Sequence, residues 1–317
     1  MTDDRAAWQA VSDDAIAHYL GQRYAEGVEL VRAAQPGLPG WRSDLAHLAA
    51  CLLSLAGRPA EALAELRAAY EAGGWWHRRI LVDDDDLAPL RALDGFAELV
   101  ERSHARATAA GQATRPPLLH RPAGPARGLL VALHGAGQDA DDAVAQWRAA
   151  IDAGYVLMAL DSTQRNTPTY RSWPDPEVAD RDVAEALDRL PPADRALPLV
   201  TAGFSAGGRQ AVRWALAAHP GTPVGFLAVA PAIGPDDLDP GWVPGAVARG
   251  LRGRVLLGAR DDDVRDDALA ALDTLRRAGV DCRLDEVPEL GHDFPADFAR
   301  RLPKLLAELP VSTGGRA

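Results

Sequence analysis

Cysteine is nearly absent from this chain, with Cys51 and Cys282 the only two in 317 residues. A disulfide framework is thereby excluded, and two lone thiols in separate domains suit a reducing cytoplasm. Long apolar runs are missing too: none continues beyond about ten residues, where a membrane-spanning helix needs about twenty. Positive charge is in deficit, 34 Lys and Arg against 45 Asp and Glu, for a net −11. That balance argues against nucleic acid or an anionic membrane as the main partner, because both require a basic face. The opening Met1-Thr2-Asp3-Asp4 is acidic and does not follow the basic-then-apolar order of a secretory signal. The chain is 47% hydrophobic and 25% charged, ordinary values for a protein that builds a proper core. A cytoplasmic protein with no membrane span is expected.

Residues 1–110 have the pattern of helices. Leu45 to Ala56 carries apolar residues at helical spacing and meets Gly57, which can end a helix. Pro59 suits the first turn of the next helix, which runs to Ala72. Tyr24–Ala34 aligns without gaps on Pro59–Ala69, 35 residues on, near the period of about 34 residues in tetratricopeptide repeats. The segment is similar to such repeats, and a generic helical bundle is the alternative. Asp83–Asp86 invites a metal reading. Consecutive carboxylates lack the spacing and turn glycine of a calcium loop, so a solvated run or helix N-terminus is expected. Residues 111–127, rich in Ala, Pro, Gly and Arg, form a linker with a short edge strand at Leu118-Leu119.

Residues 128–312 alternate between two patterns. Apolar runs at Leu129–Leu133, Val156–Leu160, Leu197–Ala202, Phe226–Ala230 and Val255–Leu257 predict buried strands, and Cys282–Val287 a strand nearer an edge. Amphipathic segments near 139–150, 177–190, 206–219 and 265–278 predict helices between them. A last helix is expected to present Phe294, Phe298, Leu302, Leu305 and Leu309 on one face. Strands apolar on both faces and joined by helices mean a mostly parallel sheet covered on both sides, an α/β class. In such sheets ligands bind at the carboxyl ends of the strands.

The chemistry-bearing motifs fall at those ends. Gly203-Phe204-Ser205-Ala206-Gly207 lies between a buried strand and an amphipathic helix. This is the G-x-S-x-G nucleophile elbow in its strand–turn–helix context. The turn is sharp enough to need glycine on both sides, and the helix start supplies free N–H groups where an oxyanion develops. A serine hydroxyl needs a neighbouring base. Of eight histidines, His292 follows the last strand, whereas His219 sits at the far end of the elbow helix. An acid must orient the base. Asp261, Asp262 and Asp263 follow the strand ending at Gly258, and any of the three is available, with Asp261 as helix cap in the alternative.

These motifs, in this order over about 200 residues, resemble the α/β-hydrolase superfamily. Within it the domain is similar to the compact carboxylesterases and lysophospholipases, including acyl-protein thioesterases. The resemblance rests on His134-Gly135-Ala136-Gly137, Gly203–Gly207, Gly258–Val264 and Gly291-His292-Asp293-Phe294. It extends to Ser162-Thr163-Gln164 and Arg171-Ser172-Trp173-Pro174-Asp175. It implies the α/β-hydrolase fold, Ser205 as nucleophile, His292 as base and, from the Gly-x-x-Asp-x-x-Val spacing, Asp261 as acid. It assigns the oxyanion N–H groups to Ala136 and Ala206, with His134 holding that loop. Gln138, Gln164, Trp173, Phe204 and Phe294 are the implied substrate contacts, Gln164 and Trp173 at the site's mouth, with Ile233 also a pocket candidate; core packing is the equal alternative for Gln164, Trp173, Phe204, Phe294 and Ile233. This chain departs from the group in carrying Ala206 where Gln is usual and Gln138 where Asp is usual.

The resulting expectation is hydrolysis of a small-molecule carboxylic ester or thioester through an acyl-Ser205 intermediate, with no metal or organic cofactor. Peptide or amide hydrolysis on the same fold, and a catalytically silent binding module, are the alternatives. Only about 20 residues separate Ala232 from Arg254, so no large lid is expected there. The helical region is expected either to bind a protein partner or to shape access to the site.

Overall fold

A computed structural model describes residues 2–111, 114–217, 219 and 221–309. The first residue and the expected domain end at 312 lie outside the described residues. The chain divides into two compact units, Met1–Gln112 with Arg165–Tyr170, and Ala113–Gln164 with Arg171–Ala317. No helix among the described residues is long and apolar enough to cross a membrane.

The first unit contains α1 (Thr2–Leu20), α2 (Tyr24–Ala34), α3 (Arg42–Leu55), α4 (Pro59–Glu71), α5 (Arg78–Val82), a 3-10 segment (Asp85–Ala92) and α6 (Phe96–Ala109). Gly57 ends the α3 region with φ +74°, and Pro59 opens α4 at its first turn. The aligned segments 24–34 and 59–69 both lie on helices, α2 and α4, joined by the Arg32–Glu65 ion pair at 3.0 Å. Val28, Val31, Leu45, Leu52, Leu66 and Leu87 are fully buried in one apolar cluster. Trp76 lies inside this unit, its indole N–H donating to the Ser43 carbonyl at 2.9 Å.

The six residues Arg165–Tyr170 belong to this unit by their bonds, although their place in sequence assigned them to the second domain. The Thr167 hydroxyl donates to Asp44 Oδ1 at 2.8 Å, and the Thr169 hydroxyl donates to Asp44 Oδ2. The His77 N–H donates to the Asn166 carbonyl at 2.7 Å. Polar backbone taken out of water must find such partners, and here Asp44 and His77 supply them.

The second unit is built on seven strands. They are β1 (Leu118–His120), β2 (Gly128–Leu133), β3 (Tyr155–Leu160), β4 (Leu199–Phe204), β5 (Gly225–Val229), β6 (Arg252–Gly258) and β7 (Asp281–Val287). Their order is β1-β3-β2-β4-β5-β6-β7. Only the β1–β3 pairing is antiparallel. Strands β2 to β5 are buried along their whole length, whereas β7 alternates, as expected of an edge.

The helices are α7 (Ala140–Trp147), α8 (Ala149–Asp152), α9 (Pro176–Asp188), α10 (Pro192–Arg195), α11 (Ser205–Leu216), α12 (Val243–Ala248), α13 (Arg265–Arg277) and α14 (Phe298–Ala307). Alternation along β2 sends Leu130 and Ala132 into the cluster with α7 and α14, and Leu129, Val131 and Leu133 into the cluster with α9 and α11. Helices therefore cover both faces.

Among the boundaries that differ from the sequence expectation, those of β4 and of the last helix bear on the site. Strand β4 continues through Gly203 and Phe204, so it delivers Ser205 directly. The last helix starts at Phe298, and Phe294 precedes it in a loop. The intervening Pro295 explains this, because it disfavours helical geometry at the residue before it.

Candidate active site

The sheet reverses direction of strand order at β2, which pairs with β3 on one side and β4 on the other. Loops leaving the carboxyl ends of neighbouring strands diverge there and open a crevice. The motif-bearing loops after β2, β4, β6 and β7 all leave from this edge.

Phe204 is the extended N-cap of α11, and Ser205 follows with φ +50°. A non-glycine residue in this left-handed region carries strain, which clusters at functional sites. The turn is tight enough that a β-carbon on Gly203 would strike the Gly207 carbonyl. One on Gly207 would strike the carbonyls of Leu133 and His134. The elbow thus packs directly on the loop after β2.

Ser205 is half-buried, with its Oγ 2.9 Å from His292 Nε2. His292 Nδ1 lies 2.9 Å from Asp261 Oδ2. The Asp261 side chain is fully buried, while His292 keeps a quarter of its surface exposed. Asp261 Oδ1 accepts the N–H groups of Asp263 and Val264 at 3.3 Å each. One oxygen therefore fixes the turn that leads to α13, whose N-cap is Val264 rather than Asp261, and the other meets the imidazole. Asp262 and Asp263 are exposed. His219 stacks on Trp214 and pairs with Asp180 at 3.1 Å, away from this row.

The loop after β2 is braced from several sides. His134 is fully buried; its Nδ1 faces the Gly135 carbonyl at 2.7 Å and its Nε2 accepts the Ser162 N–H at 3.1 Å. Burial lowers its pKa to about 4, so the ring is neutral at physiological pH. The Gly137 N–H donates to the Arg171 carbonyl at 2.8 Å, and the Trp173 indole to the His134 carbonyl at 2.8 Å. The Ala136 N–H has no acceptor among the described residues. Ala206 lies in the first turn of α11, where helical N–H groups lack intrahelical partners.

The five residues expected to touch substrate take different places. The Phe204 ring lies 5.1 Å from that of His292 and 4.9 Å from that of Phe294, which also packs against Trp147 and Phe298. Gln138 turns inward, its Oε1 accepting the Gly135 N–H at 2.9 Å. Gln164 bonds both backbone groups of Asp175, at 2.9 and 2.8 Å. Trp173, expected at the site's mouth, is instead 1% exposed, drawn in by its bond to His134 and its packing with β2 and β3. Ile233 lines a cavity of about 350 Å³ together with Asp263 and Val264 of the acid loop. Asp161 was not recognised from sequence: it accepts the Ala140 N–H at 2.8 Å and pairs with Arg115 at 3.2 Å. The available signal was a carboxylate directly after a wholly apolar strand.

Among the described residues, two groups of side chains have the composition and spacing to hold a metal ion: Asp261, Asp263 and His292 here, and His47, Cys51 and Asp84 in the helical unit. In the first, both imidazole nitrogens already face protein partners.

Residues 8–111 match the family model described as A/B hydrolase-like, N-terminal domain. The chain is similar to an uncharacterized protein from Bacillus cereus ATCC 10987, at 23% identity and a TM-score of 0.53, over 95% of this chain and 98% of that one. It is also similar to Zea mays acyl-protein thioesterase 2, at 19% identity and a TM-score of 0.49, over 62% of this chain and 98% of that one. Esterase PE8 aligns at 23% identity and a TM-score of 0.48, over 61% and 98% of the two chains. No curated protein matches the sequence. With its mostly parallel sheet, strand order and tight turn between β4 and α11, the chain has the α/β-hydrolase fold, preceded in sequence by the segment that matches the A/B hydrolase-like N-terminal model.

Proposed function

We propose that the chain is a serine hydrolase that cleaves carboxylic esters or thioesters through an acyl-Ser205 intermediate. One observation carries this reading: the unbroken row from Ser205 Oγ to His292 Nε2 and from His292 Nδ1 to Asp261 Oδ2, with both gaps 2.9 Å. In this reading His292 takes the hydroxyl proton as Oγ attacks the carbonyl carbon. The buried Asp261 keeps the imidazole in the tautomer with a proton on Nδ1 and stabilises the imidazolium. The oxyanion is met by the N–H groups of Ala136 and Ala206, each donor contributing about 3 kcal/mol to lowering the barrier. Collapse returns the proton to the departing alcohol or thiol. His292 then deprotonates water, which attacks the acyl carbonyl, and Ser205 recovers its proton as the acid leaves.

His134 supports this by staying neutral and holding the oxyanion loop through Gly135 and Ser162. Phe204, beside the histidine, and Phe294, packed against Phe204, suit the acyl side of the substrate. The buried, unpaired thiols of Cys51 and Cys282 suit a cytoplasmic enzyme. The test is a fluorophosphonate probe on the full chain. Labelling is expected in the wild type and lost in Ser205→Ala; undiminished labelling of the variant would falsify the assignment. p-Nitrophenyl esters of increasing length, with one thioester and one anilide, separate esterase from amidase activity, and faster cleavage of the anilide would overturn the ester reading.

A further inference from the structure

We propose that His47, Cys51 and Asp84 form a binding site for a zinc-class divalent cation within the helical unit, independent of the hydrolase reading. His47 and Cys51 are four residues apart on α3, the spacing that places two side chains on one helix face. Asp84 reaches them from the start of the 3-10 segment. Its Oδ1 accepts the Asp86 N–H at 3.0 Å, which fixes the carboxylate. Its Oδ2 then lies 3.2 Å from His47 Nε2 and 3.5 Å from Cys51 Sγ. His47 Nε2 and Cys51 Sγ are 3.9 Å apart.

Two of those separations are close to the edges of a tetrahedral site; the sulfur–nitrogen one is about 0.4 Å longer, and Cys51 Sγ stands equally far, 3.9 Å, from His47 Nδ1, so the imidazole must turn to aim Nε2 at a shared ion. Zinc bonds of about 2.3 Å to sulfur and about 2.0 Å to nitrogen and oxygen put sulfur roughly 3.5 Å from either, and nitrogen roughly 3.3 Å from oxygen. Thiolate, imidazole and carboxylate together select a borderline-soft ion over calcium or magnesium, which take oxygen ligands. The fourth position falls to water or to the Ile80 carbonyl oxygen, 3.1 Å from the same nitrogen. Binding displaces the thiol proton to solvent and moves the imidazole proton to Nδ1, so thiolate and carboxylate balance the dication. Of the Asp83–Asp86 run, Asp84 is the member placed against α3 by these contacts, which is why the run lacks calcium-loop spacing and still supplies a ligand.

Cobalt(II) titration of the full chain in a Cys282→Ser background tests this. The chain has two cysteines, so any thiolate-to-cobalt charge-transfer band in that background comes from Cys51. One equivalent with a tetrahedral d–d spectrum is expected, displaced by zinc in a chelator competition. His292→Ala, which dismantles the other candidate cluster, should leave it unchanged. Asp84→Asn and His47→Ala should each weaken affinity by more than about tenfold. Absence of the charge-transfer band in the Cys282→Ser protein, or its loss in His292→Ala, overturns the proposal, whatever the folding of the ligand variants.

Discussion

Gly258 lies directly against Gly291: a β-carbon on Gly258 would strike the carbonyls of Leu290 and Gly291. The end of β6 and the loop carrying His292 therefore touch backbone to backbone, which brings Asp261 and His292 together. The Arg260 N–H donates to the Leu290 carbonyl at 2.9 Å and secures the same junction. Replacing Gly258 with Val forces this loop outward. A misplacement of about 1 Å can cost about a hundredfold in rate. In Gly258→Val, kcat on an activated ester should fall at least tenfold with circular dichroism retained; unchanged kcat would show that the junction does not set the row.

Burial and contact single out Asp261 as the acid in the proposed mechanism. Asp261→Asn should lower kcat by about 10³ to 10⁴, because the amide stabilises the wrong imidazole tautomer. Asp262→Asn and Asp263→Asn, at exposed positions, should change it by less than about threefold, in line with ordinary surface substitutions. Steady-state kinetics on one p-nitrophenyl ester ranks the three, and a larger loss at Asp263 than at Asp261 reverses the assignment.

His134 gives a pH dependence of stability. Its folded pKa of about 4 lies below its ordinary 6.5 because burial disfavours the charged ring. The unfolded chain therefore binds more protons between these values, and stability falls as pH drops from 6.5 towards 4. The loss amounts to roughly 3 kcal/mol from this one group. Urea midpoints measured across that window should decline in the wild type and decline less in His134→Gln, which is also less stable at neutral pH. Parallel curves would contradict the buried neutral ring.

Asp44 holds residues 165–170 through two threonine hydroxyls. Asp44→Ala leaves the buried Thr167 hydroxyl and the half-buried Thr169 hydroxyl without their acceptor, at a cost of about 1–3 kcal/mol. Hydrogen exchange over 165–170 should accelerate in Asp44→Ala and much less in Asp44→Asn, which keeps one acceptor. Equal protection in wild type and Asp44→Ala would show that other contacts hold the segment.

Much of this molecule is legible in sequence because its signals are local. Unbroken apolar runs follow from strands covered on both faces, and alternation from the edge strand β7. The elbow is marked by glycines at 203 and 207 because no other residue fits the approach of the neighbouring backbone. The role of Trp173 was less legible. An aromatic residue in a polar loop can equally lie at a mouth or turn inward, and its bond to the His134 carbonyl decides the matter here. Residues 165–170 look like an ordinary loop, since their partners Asp44 and His77 lie about ninety or more positions earlier in the chain.

The amino-acid order by itself determined the parallel α/β architecture and the candidates Ser205 and His292, because helix, strand and turn preferences act over a few residues. Among Asp261, Asp262 and Asp263 it pointed to Asp261 through the resembling Gly-x-x-Asp-x-x-Val spacing, and it placed Asp84 in a run of carboxylates without a partner. Tertiary structure decided what each side chain faces. Asp261 has its side chain buried with one oxygen facing His292, and Asp84 has one oxygen bound at a helix start and the other facing His47 and Cys51. Side-chain direction is set by packing between segments distant in sequence, and no local pattern encodes it.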